Sequence, residues 1–178
     1  MTAEFAAAAA SRPIAASFDV TSFVEREAPA LLDYFGRRVA AEDAADLLGE
    51  TLVVVWRRVG VIPKDATRAR MWLYGVARKV LAGHRRSTRR QAALSERLRL
   101  ELAAQPAIST EPDHDRVREL IAGLPELDRE IIGLVYWEGF NLAEVAVILG
   151  MRPPTVRSRH ARARASLRES LGDTSLGD

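Results

Sequence analysis

An all-α protein is the fold class this sequence predicts: two small helical domains joined by a flexible linker, the second carrying a helix-turn-helix. Three observations lead there. The 178 residues are rich in Ala, Leu and Arg, poor in Pro and Gly, and contain no cysteine, a composition that favours helix and rules out a disulfide framework. Apolar residues recur at helical spacing in several separate stretches. The stretch NLAEVAVILGMRPPTVRSRHARAR, Asn141 to Arg164, runs as an amphipathic helix, breaks at Gly150 and restarts at a proline pair as an arginine-rich segment.

The elements follow in chain order. Residues 1–17 begin with an acid at Glu4 and an alanine run rather than a basic start and a leucine core, so they read as a disordered tail and not as a signal peptide. From Phe18 to Ala40, Phe23, Val24, Leu31, Leu32, Phe35 and Val39 fit one helix, or two short ones parted near Pro29. Asp43 to Arg58 is a clear helix with Leu47, Leu48, Thr51, Leu52 and Val55 inward. Gly60 to Arg68 contains Gly, Pro and Asp and reads as a loop. The next helix carries Trp72, Leu73, Val76, Ala77, Val80 and Leu81 toward a core. The first domain is expected over 18–88 and the linker over 89–112, where periodicity fades around Pro106 and Pro112. The second domain, 113–172, holds four helices, and 173–178 is a tail. Val117, Leu120, Ile121 and Leu124 face inward on the first of the four; Pro125 opens the second and Gly139 closes it. Asn141 and Glu144 form a capping box at the third, ended by Gly150, and Pro153 and Pro154 start the fourth. Trp56, Trp72 and Trp137 each lie in an apolar helical run and are expected as core anchors.

The formal net charge of +2 conceals a block pattern. Val24 to Glu50 holds seven acids and three bases, and Arg57 to Arg90 eleven bases and one acid. Gln91 to Phe140 holds ten acids and five bases, and Arg152 to Arg168 six arginines and no acid. Separated positive blocks are the footprint of contacts with a polyanion. An unpaired guanidinium is a poor core residue, so the arginines of the last block must face something outside the fold.

Ala146 is small where two helices would cross, Gly150 supplies a left-handed turn, and Val156 fills the angle between the helices; this is helix-turn-helix spacing. On the last helix Val156, His160, Ala163 and Leu167 point inward, leaving Pro154, Arg157, Ser158, Ala161 and Arg162 outward. A merely solvated cationic helix would carry acids at i+4, and this one has none. His160 lies on the inward stripe and reads as a packed, hydrogen-bonded histidine. Asp43, Asp46 and Glu50 fall along one helix face; taken alone, such triples are usually only solvated. No metal constellation, nucleophile with a base, or phosphate loop is present, so neither a cofactor nor enzymatic activity is expected. No run approaches ~18 apolar residues, and a cytoplasmic protein without membrane insertion is expected.

These segments together resemble the extracytoplasmic-function (ECF) sigma factors, the smallest bacterial sigma subunits. DAADLLGETLVVVWRR resembles the family's polymerase-binding helix, MWLYGVARKVLAGHRR the helix that opens and reads the −10 element, and LPELDREIIGLVYWEGFNLAEVAVILGMRPPTVRSRHARARASLRE the region that reads the −35 element. The resemblance implies that Asp43, Asp46 and Glu50 bind core RNA polymerase. It implies −10 contacts from Lys64, Arg68, Arg78, Lys79, Arg85 and Arg86. It also implies −35 contacts from Arg152, Thr155, Arg157, Ser158, Ala161, Arg162 and Arg164. The partners it implies are core RNA polymerase, promoter DNA and an anti-sigma factor. Gly49 stands where the family usually has Gln, Lys79 where it has Asn, Pro154 where it has Gly, and His160 where it has Leu or Ile. A helix-turn-helix regulator that never joins polymerase is the alternative; it leaves the first basic block and the acidic helix unused.

Overall fold

A computed structural model describes residues 19–99 and 115–172. The expected tails, and residues 100–112 of the expected linker, lie outside them. Among the described residues there are seven α-helices, one short 3-10 turn and no strand.

The first helix, α1 (Val20–Gly36), starts at Asp19, whose carboxylate accepts from the Thr21 amide at 3.0 Å and from the Ser22 hydroxyl. It is one helix and not two. Pro29 sits on its exposed side, where water can satisfy the carbonyl that loses its donor. In α2 (Ala41–Arg57), Ala44, Leu47, Thr51 and Val55 are buried, and the Thr51 hydroxyl donates to the Leu47 carbonyl at 2.8 Å. A 3-10 turn at Val59–Val61 and the buried Ile62 follow.

The expected loop ends early. The Asp65 carboxylate accepts from the Arg68 amide at 2.9 Å, and α3 (Ala66–Arg99) has already begun. This 34-residue helix also continues past residue 88, where the first domain was expected to end. Leu73, Val76, Ala77 and Leu81 are buried along it, with Trp72 and Val80 partly covered.

The second unit comprises α4 (Asp115–Gly123), α5 (Glu126–Tyr136), α6 (Leu142–Leu149) and α7 (Pro153–Gly172). At α6 the Asn141 side chain accepts from the amides of Ala143 and Glu144, both at 3.0 Å, while Glu144 accepts from the Asn141 amide at 2.9 Å. That is the expected capping box. Gly150 ends the helix at φ 64°, and the Met151 amide reaches back to the Ala146 carbonyl at 2.9 Å. A left-handed residue there suits glycine best, because a Cβ would crowd the carbonyl.

Three expected core residues are outside it. Val117, Trp56 and Trp137 are 48%, 51% and 43% exposed. Periodicity had placed them on apolar helices, but no neighbouring element covers that side. Trp137 instead lies under the Arg37 guanidinium, 5.5 Å from its ring centroid. The two units are also not held apart: α3 packs on α6, and one continuous buried cluster runs from Phe23 in α1 to Val156 in α7.

Candidate nucleic-acid interface

The helix-turn-helix is assembled as its spacing demands. Ala146 is 2% exposed at the crossing of α6 and α7, and Val156 is fully buried in the angle between them. His160 and Ala163 are buried one and two turns further along α7, and Leu167 packs partly behind them. The opposite side is open: Pro154, Arg157, Ser158, Ala161 and Arg162 are all exposed, as are Arg152, Thr155 and Arg164. Among the described residues no acid pairs with Arg152, Arg157, Arg162 or Arg164; within the run only Arg159 is neutralised, by Asp128 at 2.8 Å. Sequence reasoning missed that pair. Arg159 thus acts as a brace between α7 and α5, while its neighbours keep their donors for a ligand.

His160 is packed but not bonded as expected. Its ring stacks on Tyr136 with centroids 5.8 Å apart, and its Nε2 finds no partner among the described residues. Burial, and secondarily the Arg164 charge, hold its pKa below the usual histidine value of 6.5. The unfolded chain therefore takes up the proton first as pH falls. His160 should cost stability progressively below pH 6.5, and the loss should level off once pH passes below the folded pKa. His160→Leu should remove this component, which thermal melts at a series of pH values would read directly; an unchanged profile would place the titration elsewhere.

The acidic triple keeps its face. Asp46 and Glu50 are exposed, and Asp43 is half-exposed with its carboxylate 3.8 Å from the His84 ring. Gly49 lies between them with open space where a Cβ would stand. A side chain there would meet nothing in this fold.

The first basic block is less free. Lys64 and Arg68 are exposed beside the turn into α3, and Arg86 is exposed further along. Arg78, Lys79, Arg85 and Arg86 line a cleft with Glu126 and Glu130 of α5, and Arg85 donates to Glu126 at 2.5 Å. The structure thus gathers Arg78, Lys79, Arg85 and Arg86 on one side of α3, where Arg85 is paired with Glu126 and Arg89 Nη2 lies 3.9 Å from the same carboxylate. Among the described residues, no group of three or more His, Cys, Asp or Glu could hold a metal ion, and no helix is long and apolar enough to cross a membrane.

The family model described as Sigma-70, region 4 matches residues 114–167, which is the second helical unit. Over 138 residues the chain is 33% identical to the ECF RNA polymerase sigma factor SigL of Mycobacterium tuberculosis, covering 74% of this chain and 76% of that protein. The chain belongs to the ECF sigma factors. A second relative, the probable RNA polymerase sigma-C factor of Mycobacterium bovis, is 36% identical over 134 residues, covering 70% of this chain and 68% of its own length. The fold agrees with that of the sigma factor RpoE, solved with the anti-sigma factor NepR from Bartonella quintana. The TM-score is 0.67 at 24% identity, covering 89% of this chain and all of that one. It also agrees with CnrH, solved with the cytosolic domain of CnrY, at a TM-score of 0.60 and 24% identity, covering 86% of this chain and 87% of that one. As an ECF sigma factor the chain is a promoter-recognition subunit of transcription initiation and not a free-standing helix-turn-helix regulator.

Proposed function

We propose that this sigma factor docks on core RNA polymerase through Asp43, Asp46 and Glu50, opens and reads the −10 element with α3, and reads the −35 element with α7. The observation that carries the reading is the α7 face, where exposed, unpaired arginines flank small residues on the second helix of a helix-turn-helix. A major groove admits such a helix, and a guanidinium can donate two bonds to a guanine edge. Arg157 and Arg162, with Ser158 and Ala161 between them, are the base readers; Arg152, Thr155 and Arg164 hold phosphates.

On the first unit, Lys64, Arg68, Arg78, Lys79, Arg85 and Arg86 neutralise the backbone of the −10 region. The turn before α3 captures a flipped base. Extruding a base costs a few kcal/mol, which capture and phosphate contacts can offset without ATP. The chain therefore acts by binding, not by enzymatic turnover, in the cytoplasm with polymerase, and an anti-sigma factor is the expected restraint. Run-off transcription with purified core polymerase on genomic promoter fragments tests the whole reading; no sigma-dependent transcript would refute it.

The two arginine classes should separate. Arg157→Ala should cost ~1–3 kcal/mol and relax preference at one or two positions of the −35 element. Arg164→Ala should weaken binding to all sequences alike and flatten the salt dependence by about one unit of slope. Titration of the full chain against duplexes varied singly across −35, at several salt concentrations, distinguishes them. Equal, sequence-blind losses would make α7 a phosphate clamp.

A further inference from the structure

The outer side of α2 is an open seam. Glu42, Asp46, Gly49, Val53 and Trp56 follow one another at intervals of four, three, four and three residues, and all five are exposed. Alternating steps of four and three keep side chains on a single stripe, the spacing by which one helix packs along another. The stripe lies opposite the buried side of α2, which carries Ala44, Leu47, Thr51 and Val55.

The seam changes character along its length. Its first half is acidic, with Glu42 and Asp46 on it and Asp43 and Glu50 beside it. Its second half is apolar. Val53 is 47% and Trp56 51% exposed, and Val59 and Val61 in the 3-10 turn that follows are exposed as well. Single exposed apolar side chains are ordinary on a protein surface, whereas a group of them rimmed by charge marks a contact. Val53 and Trp56 stand three residues apart on one stripe, so their side chains are neighbours.

Gly49 sits at the junction of the two halves. Nothing lies within 4 Å of where its Cβ would stand, so the packing of this fold does not require glycine there, and a glycine inside an exposed helix costs stability relative to most other residues. What the position creates is a notch between the acids and the apolar pair. Packed helices ordinarily lie roughly 8–10 Å apart, at a distance set by the side chains where they cross. A second helix can come closest to α2 at Gly49.

We propose that this seam receives an α-helix of core polymerase that crosses α2 at Gly49, sets basic side chains against Glu42, Asp46 and Glu50, and buries apolar side chains against Val53 and Trp56. The assignment rests on the reading of α2 as the polymerase-docking helix and deepens it. The two halves act differently. The carboxylates steer and orient the partner, and their attraction is screened by salt. Trp56 holds the complex together, because tryptophan is among the residues that most often carry the binding energy of an interface, and burial of its ring does not depend on charge.

Titration of labelled core polymerase with the full chain, at roughly 0.1 M and 0.5 M salt, separates these contributions. Trp56→Ala should weaken binding by roughly 30-fold, the fold-change of a hot spot worth ~2 kcal/mol, and by the same factor at both salt concentrations. Asp46→Asn with Glu50→Gln should lose affinity at the lower salt and approach the parent at the higher. Gly49→Leu should raise the melting temperature, since it replaces a glycine within a helix, and yet weaken binding by about 10-fold as its side chain fills the crossing. A loss of affinity in a more stable protein is not misfolding, so Gly49→Leu decides the matter should Trp56→Ala lose its helical circular dichroism. Parent-like affinity of a folded Trp56→Ala chain, or a Gly49→Leu chain that binds as well as the parent or better, would overturn the seam. A parent that fails to bind core polymerase removes the docking reading itself; binding that responds to the two acids but not to Trp56 or Gly49 removes only the seam.

Discussion

Asp46→Arg combined with Glu50→Arg should abolish assembly with core RNA polymerase while leaving the helices folded. Both carboxylates are exposed on α2, on the side away from buried Leu47, Thr51 and Val55. Neither forms a hydrogen bond or ion pair among the described residues, so each change should alter stability by no more than ~0.5 kcal/mol. On a docking face the effect is far larger, since four units of charge reverse against a partner selected for the opposite sign. Titration of labelled core polymerase, with circular dichroism as the folding control, reads both halves. Unchanged affinity would return this face to solvent.

Arg78→Ala combined with Lys79→Ala should slow promoter opening by roughly 100-fold, at ~1.5 kcal/mol for each lost contact of a charged donor, and should leave binding to a −35 duplex intact. The two surfaces belong to different helical units, which is why the losses separate. These residues are preferable to Arg85, whose guanidinium is already engaged by Glu126. A promoter pre-melted around −10 should restore transcription. Failure of that template to rescue would show that α3 acts in binding and not in strand opening.

Local order in this chain is readable from local sequence. The capping box at Asn141 and Glu144, the left-handed turn at Gly150 and the inward stripe from Val156 to Leu167 each depend on residues within a few positions of one another. The exposed side of α7 follows from the same periodicity. Contacts between units do not. Arg37 meets Glu138 across 101 residues and Tyr34 meets Glu130 across 96, and nothing in either segment names the other. One signal was available at Glu138. An acid inside the apolar run VYWEGF is costly to bury alone, and its burial requires a cation from elsewhere in the chain. The tryptophans show the converse limit: periodicity puts Trp56 and Trp137 on apolar helices, but whether a side is covered depends on which element packs there. Arg159 illustrates the same point, because only the fold brings it to Asp128 and separates it from the arginines that remain free.

The buried cluster that runs from Phe23 to Val156 bears on how the chain melts. While the units are docked, heat should unfold them in one cooperative transition, because the larger buried cluster crosses the boundary between them. Undocked, residues 115–172 must stand alone. A domain of about 60 residues buries only ~60% of the surface its unfolded chain exposes and is marginally stable by itself. Release would split the calorimetric peak in two and leave the DNA-reading half the softer of the pair. Outside a complex, that half becomes the first of the two folded units a protease can cut.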